Sequence, residues 1–149
     1  MPSFTRPFDT AIDTLHAYYH ALAESRLEDI MALWVDEDAT SFITANGILF
    51  NGLDTIRSNL AQQFEYGAPK IQVLDTRSYE SPSTAIYIVT EAHNSINPDE
   101  QPKLVLTTYV LVQECGKWRI SHIHASAIPE RTIESFANGG LQQNQGPLH

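Results

Sequence analysis

The sequence predicts an α+β domain in which N-terminal helices pack on one face of a long-stranded antiparallel sheet. Helical periodicity is confined to the region before Pro69, and four β-rich runs of roughly ten residues follow it. The links between those runs are short, which favours a meander over crossover connections. At 149 residues the chain is one domain in length, placed at residues 1–129, with 130–149 as a tail.

The elements follow in order. Phe8, Ile12, Leu15, Tyr19 and Leu22 recur at helical spacing and predict a first helix with one buried stripe. Ser25 to Glu28 has the form of a capping box opening a second helix through Ile30, Leu33 and Trp34. Asn46-Gly47 between two β-rich runs predicts a type I′ hairpin. Ile56, Leu60 and Phe64 predict a third helix that ends before Gly67 and Pro69. The four runs are Lys70 to Tyr79, Thr84 to Ser95, Lys103 to Glu114 and Lys117 to Ala127, the last two joined by a tight Cys115-Gly116 turn. In the third run Leu104, Leu106, Val110 and Val112 occupy one face while Val105, Tyr109 and Leu111 occupy the other. Both faces therefore need a cover, and the helices supply one, so the second is expected to be another copy of the chain. From Glu130 the sequence is rich in Gly, Gln and Asn and is expected to be a flexible tail or arm.

Composition narrows the partners. A net charge of −9 with an isoelectric point near 4.9 disfavours nucleic acid and anionic membranes. The single cysteine, Cys115, cannot form an internal disulfide, no signal-like segment opens the sequence, and no apolar run approaches membrane-spanning length. A soluble, cytoplasmic protein is the expectation.

Several residues have the chemistry of a site. His122 and His124 alternate along the last run, which puts Trp118, Ile120, His122, His124 and Ser126 on one face and Arg119, Ser121, Ile123 and Ala125 on the other. Such a pair can bind a metal, but the local sequence supplies no third ligand, and packed histidines are the expected use; no metal or cofactor is expected. Asp36 and Asp38, with Glu37 between them, lie just past Trp34, as a general base at a pocket mouth or as a solvated acidic loop. Tyr18, Tyr19, Tyr87 and Tyr109 are core or pocket phenols, Trp34 and Trp118 are assigned to structure, and Glu91 with His93 forms a carboxylate–imidazole pair of open role.

The segments ALWVDEDATSFITANGILFNGLDTIR and GKWRISHIHASAIP resemble SnoaL-like proteins of the nuclear transport factor 2 superfamily. Gly116, Lys117, Trp118, His122, His124, Ser126 and Pro129 are most similar to the end of the calcium/calmodulin-dependent protein kinase association domain. The resemblance implies a cone-like curved sheet wrapped around the N-terminal helices, with Met31, Ile56, Tyr109, Ile123 and Ala125 lining a pocket. It also implies that Trp118, His122, His124 and Ser126 form a motif at a packed sheet or subunit interface. Where those domains carry two pocket arginines, this chain has Tyr109 and Ala125, so anionic ligands lose their clamp and a neutral small molecule is expected. The implied function is a ligand-binding or oligomerising domain, homodimeric or larger. The alternative is a small isomerase, dehydratase or cyclase that moves a proton on a polyketide-, steroid- or terpenoid-like substrate. In that case Asp36 or Asp38 is the base and Tyr109 the donor to a developing enolate.

Overall fold

In the computed structural model, which describes residues 8–36, 39–95 and 97–129, the Thr10 hydroxyl accepts from the Asp13 amide at 3.1 Å and so starts α1, Ala11–Ala23. The helix ends in a Schellman motif. The Ser25 amide bonds the Leu22 carbonyl at 3.2 Å, the Arg26 amide bonds the Ala21 carbonyl at 2.9 Å, and Ser25 itself is left-handed at φ 53°. This corrects the expected capping box: Ser25 closes α1 instead of opening α2, Leu27–Ala32, whose N-cap Arg26 makes no side-chain cap bond. Glu28 instead forms a two-pronged pair with Arg57 of α3, Leu53–Phe64, one prong being 2.8 Å long.

Between these helices lie β1, Ser41–Ile43, and β2, Leu49–Asn51. Their turn is not type I′, because Gly47 is left-handed at φ 84° while Asn46 is not. The Gly47 amide bonds the Thr44 carbonyl at 2.9 Å and the Thr44 amide bonds the Ile48 carbonyl at 2.9 Å, a three-residue loop with glycine last. The Cys115-Gly116 turn is the one that takes the two-residue form, with both residues left-handed at φ 53° and 78°.

The long strands are β3, Lys70–Glu80, β4, Thr84–Asn94, β5, Lys103–Glu114, and β6, Lys117–Ala127. They form one open sheet in the order β2-β1-β6-β5-β4-β3, antiparallel except where β1 runs parallel to β6. A bulge in β6 changes the expected facing. Val110 pairs with His122 but Leu111 pairs with Ile120, so Ser121 is the extra residue and Ile120 turns to the same side as Ile123. Both isoleucines are buried in the core, whereas His122 and His124 stay on the far side.

The helices fill the concave face. Leu15, Tyr18 and Leu22 of α1 and Ile56 and Leu60 of α3 are buried with Ala85, Tyr87, Val89, Tyr109 and Leu111 of the sheet. The Thr14 hydroxyl donates to the Trp118 carbonyl at 3.0 Å and ties α1 to β6. On the convex face Ile86, Ile88, Leu104, Val110 and Val112 are half-buried and Leu106 is 41% exposed. Among the described residues no helix is long and apolar enough to cross a membrane.

Candidate functional site

Tyr87, Val89 and Glu91 alternate onto the concave face of β4, so an acid continues a row whose preceding members belong to the core. Glu91 is 2% exposed. An uncompensated carboxylate at that depth would be strongly unfavourable, and four donors converge on it. On Oε1 it accepts from His93 Nε2 at 2.8 Å and from the Thr107 hydroxyl at 2.9 Å. On Oε2 it accepts from the Tyr109 hydroxyl at 2.7 Å and from the Tyr19 hydroxyl. Strand register explains the first three: His93 is two residues along the same face, and Thr107 and Tyr109 descend β5 beside β4. Tyr19 arrives from α1. The rings of Tyr18, Tyr19 and Tyr109 meet edge to face, with centroids 5.7 to 6.1 Å apart.

The electrostatics follow from that geometry. Burial pushes the Glu91 carboxyl upward, but the hydrogen bonds from His93, Tyr19 and Tyr109 outweigh it and hold the group below the ordinary glutamate value. It is therefore ionised at neutral pH. Burial, and then the Glu91 charge, raise Tyr18 and Tyr19; burial and the neighbouring Tyr19 and Glu91 raise Tyr109, so all three phenols stay protonated. Because an ionised carboxylate only accepts, the His93 hydrogen facing it lies on Nε2, which leaves Nδ1 as an acceptor in the neutral ring.

Glu91, His93, Thr107 and Tyr109 line a cavity of about 410 Å³. Tyr18, Leu22, Phe42, Leu60, Ile71 and Ile123 supply its apolar wall, and Thr44, Asn46, Gln63 and Lys103 add polar groups. Of the residues expected at the pocket, Tyr109, Ile123 and Ala125 line this cavity. Ile56 does not, being 0% exposed within the core. Met31 and Asp36 line a different cleft of about 580 Å³ together with Trp34, Cys115, Lys117 and Arg119. Of the two readings of the acidic segment, a general base at the pocket mouth and a solvated loop, the exposed Asp36 has the solvated placement and borders the separate cleft, because the chain leaves α2 toward β6, where the Val35 amide bonds the Ile120 carbonyl at 2.8 Å. Asp38 lies outside the described residues, as does the tail from Glu130.

His122 and His124 sit on the convex face, their ring centroids 6.2 Å apart. His122 Nδ1 lies 2.7 Å from the Ser41 hydroxyl, and burial followed by the neighbouring His124 lowers its pKa. Trp118 packs against the core and Ser126 is exposed. Among the described residues no three His, Cys, Asp or Glu side chains converge as a metal site would require.

The sequence pairs Glu91 with His93 but does not by itself mark Glu91 as the acid that organises the cavity. The signal was available: a glutamate at an inward strand position, two residues after Val89 and four after Tyr87, is a buried charge that needs partners.

The sequence profile of the SnoaL-like domain matches residues 12–130. No curated protein matches the chain. Among solved structures, a candidate calcium/calmodulin-dependent protein kinase type II association domain from Thiobacillus denitrificans is 27% identical, with a TM-score of 0.75 over 82% of this chain and 98% of that one. A protein from Xanthomonas campestris described in the same terms is 18% identical, with a TM-score of 0.66 over 80% of this chain and 86% of that one. A candidate dehydratase of the nuclear transport factor 2-like family from Streptomyces avermitilis is also 18% identical, with a TM-score of 0.70 over 77% of this chain and 91% of that one. The fold is the nuclear transport factor 2-like, or cystatin-like, α+β cone.

Proposed function

From the premise that the chain belongs to the SnoaL-like domain family, we propose that it is a small-molecule-binding domain that works as a homodimer or larger homo-oligomer. One observation carries the binding half: a cavity of about 410 Å³ that ends on a buried carboxylate already supplied with four donors. A carboxylate with its lone pairs engaged and its pKa lowered is a poor base, so the arrangement suits recognition better than proton abstraction by that group. The association half is supported by the half-exposed apolar convex face and by likeness to structures described as association domains. Thermal-shift screening of small apolar compounds, with Ile123→Trp as a variant that fills the cavity, tests the binding half. Ligands that stabilise the wild type and not the variant are the expected result; equal effects on both would remove it.

A second reading is favoured by the His93–Glu91 contact. Glu91 holds Nε2 of His93, a residue that lines the cavity, and a carboxylate-oriented imidazole is the general base a small isomerase, dehydratase or cyclase needs. Deuterium incorporation next to the carbonyl of a panel of cyclic ketones and lactones, followed by NMR with wild type and His93→Gln, tests it without knowledge of the substrate. Incorporation that is catalysed by the wild type and lost in the variant supports this reading, and its absence across the panel removes it.

A further inference from the structure

We propose that the cavity selects organic amines, protonated at nitrogen and carrying an apolar body, over matched alcohols, carbonyl compounds and carboxylates; this rests on the binding function proposed above. The argument is one of hydrogen-bond accounting. A phenol or a threonine hydroxyl has one hydrogen to give, and a neutral imidazole has one N–H. Tyr109, Thr107 and His93 line the cavity, and each gives that hydrogen to Glu91. What the two hydroxyls leave for a ligand are lone pairs, on the Tyr109 and Thr107 oxygens. The cluster around Glu91 is thus a surface of acceptors. Hydroxyls that donate to an ionised carboxylate are polarised by it and accept more strongly, so the effect of the buried charge is passed to the ligand side.

Charge points the same way. The cluster holds a carboxylate at a site that water barely reaches, and the hydroxyls around it are neutral. A ligand ammonium brings both the donors the cluster lacks and the opposite charge, in surroundings where the attraction is much stronger than in water. The rings of Tyr18, Tyr109 and Phe42, which line the same cavity, add faces suited to a cation. A carbonyl or carboxylate would set its own lone pairs against those of the cluster. Tyr18, Asn46, Gln63 and Lys103 keep donors on the walls, but none of them donates to Glu91. Lys103, the one lysine or arginine lining the cavity among the described residues, is exposed.

Titration calorimetry with 2-phenylethylamine, 2-phenylethanol and 3-phenylpropanoate at pH 7 tests the selection with three probes of one shape. The amine is expected to bind at least tenfold more tightly than the alcohol, and the carboxylate more weakly than both. Glu91→Gln should bring amine and alcohol to similar affinity. Lys103→Gln, at an exposed position where folding is not at stake, should tighten the amine and widen its preference over the alcohol. Alcohol binding equal to amine binding in the wild type, or a carboxylate that binds best, overturns the amine selection while leaving the binding function standing. Binding by none of the three overturns both.

Discussion

Tyr109 Oη lies 2.7 Å from Glu91 Oε2 and joins β5 to β4 across the floor of the cone. The bond has a charged acceptor, so its loss in Tyr109→Phe should destabilise the fold by roughly 1.5–3 kcal/mol. The aromatic contacts to Tyr18 and Tyr19 survive that substitution, which isolates the hydroxyl. Urea denaturation checks the magnitude; a change within error of zero would mean that Thr107, Tyr19 and His93 satisfy the carboxylate without it. Removing the acid itself should cost more. Glu91→Ala opens a void and leaves up to four donors facing one another, for which about 3–5 kcal/mol is expected.

The same network sets a pH dependence with a definite sign. The Glu91 carboxyl is depressed below 4.5 in the folded protein, so its contribution is complete above that value and is lost as the pH falls through the lower folded pKa. The stability difference between wild type and Glu91→Gln should therefore shrink below about pH 4.5. Tyr18, Tyr19 and Tyr109 are raised above 10, so theirs is the opposite case: full stabilisation below 10, lost as the pH climbs beyond it. Tyrosinate absorbance from these residues should appear together with unfolding as measured by circular dichroism. Their ionisation in the still-folded protein would contradict the burial.

Particular residues show why part of this was legible in the sequence and part was not. The spans of β5 and β6 are readable because Pro102 and Cys115-Gly116 punctuate runs of β-branched and aromatic residues, and α3 because Ile56, Leu60 and Phe64 form one stripe. The resemblance oriented Tyr109, Ile123 and Ala125 inward, and they line the cavity. Ser121 was not readable: a bulge inserts one residue without a composition signal, and every facing assigned on one side of it inverts. Ser25 failed for a related reason, since the same serine can open one helix or close the previous one, and the bonds back to Ala21 and Leu22 decide it. For Asp36 the sequence leaves two readings open, because proximity to the end of α2 says nothing about which side of the sheet edge the chain takes.

Association should depend on the convex face. Leu106 is 41% exposed there, with Val110, Ile86 and Ile88 half-buried around it, and His122 and His124 lie one strand away. A charge placed in a surface that a second copy covers would be desolvated without a partner. Leu106→Asp and His122→Asp should therefore shift the assembly toward monomer in light scattering at micromolar concentration, without changing the secondary structure. A wild type that is monomeric under those conditions, or variants that assemble as it does, would show that no copy packs on this face.

The Cys115-Gly116 turn offers a stabilising change. Cys115 holds a left-handed backbone at φ 53°, a conformation that costs an ordinary side chain roughly 1–2 kcal/mol because its Cβ crowds the following carbonyl. The residue is exposed and its thiol is free, so its side chain adds no buried packing. Asparagine tolerates this conformation far better, and Asn-Gly is the favoured pair for a two-residue turn whose central residues are both left-handed. Cys115→Asn should therefore stabilise the domain by about 0.5–1 kcal/mol, seen as a rise in Tm of a few degrees. The turn sits between Glu114 and Lys117, which pair directly, so a tighter turn also holds the β5–β6 register that carries Tyr109 and Ile123 into the cavity. A variant that is less stable than the wild type would mean that the thiol makes a contact in the adjoining cleft worth more than the backbone strain it causes.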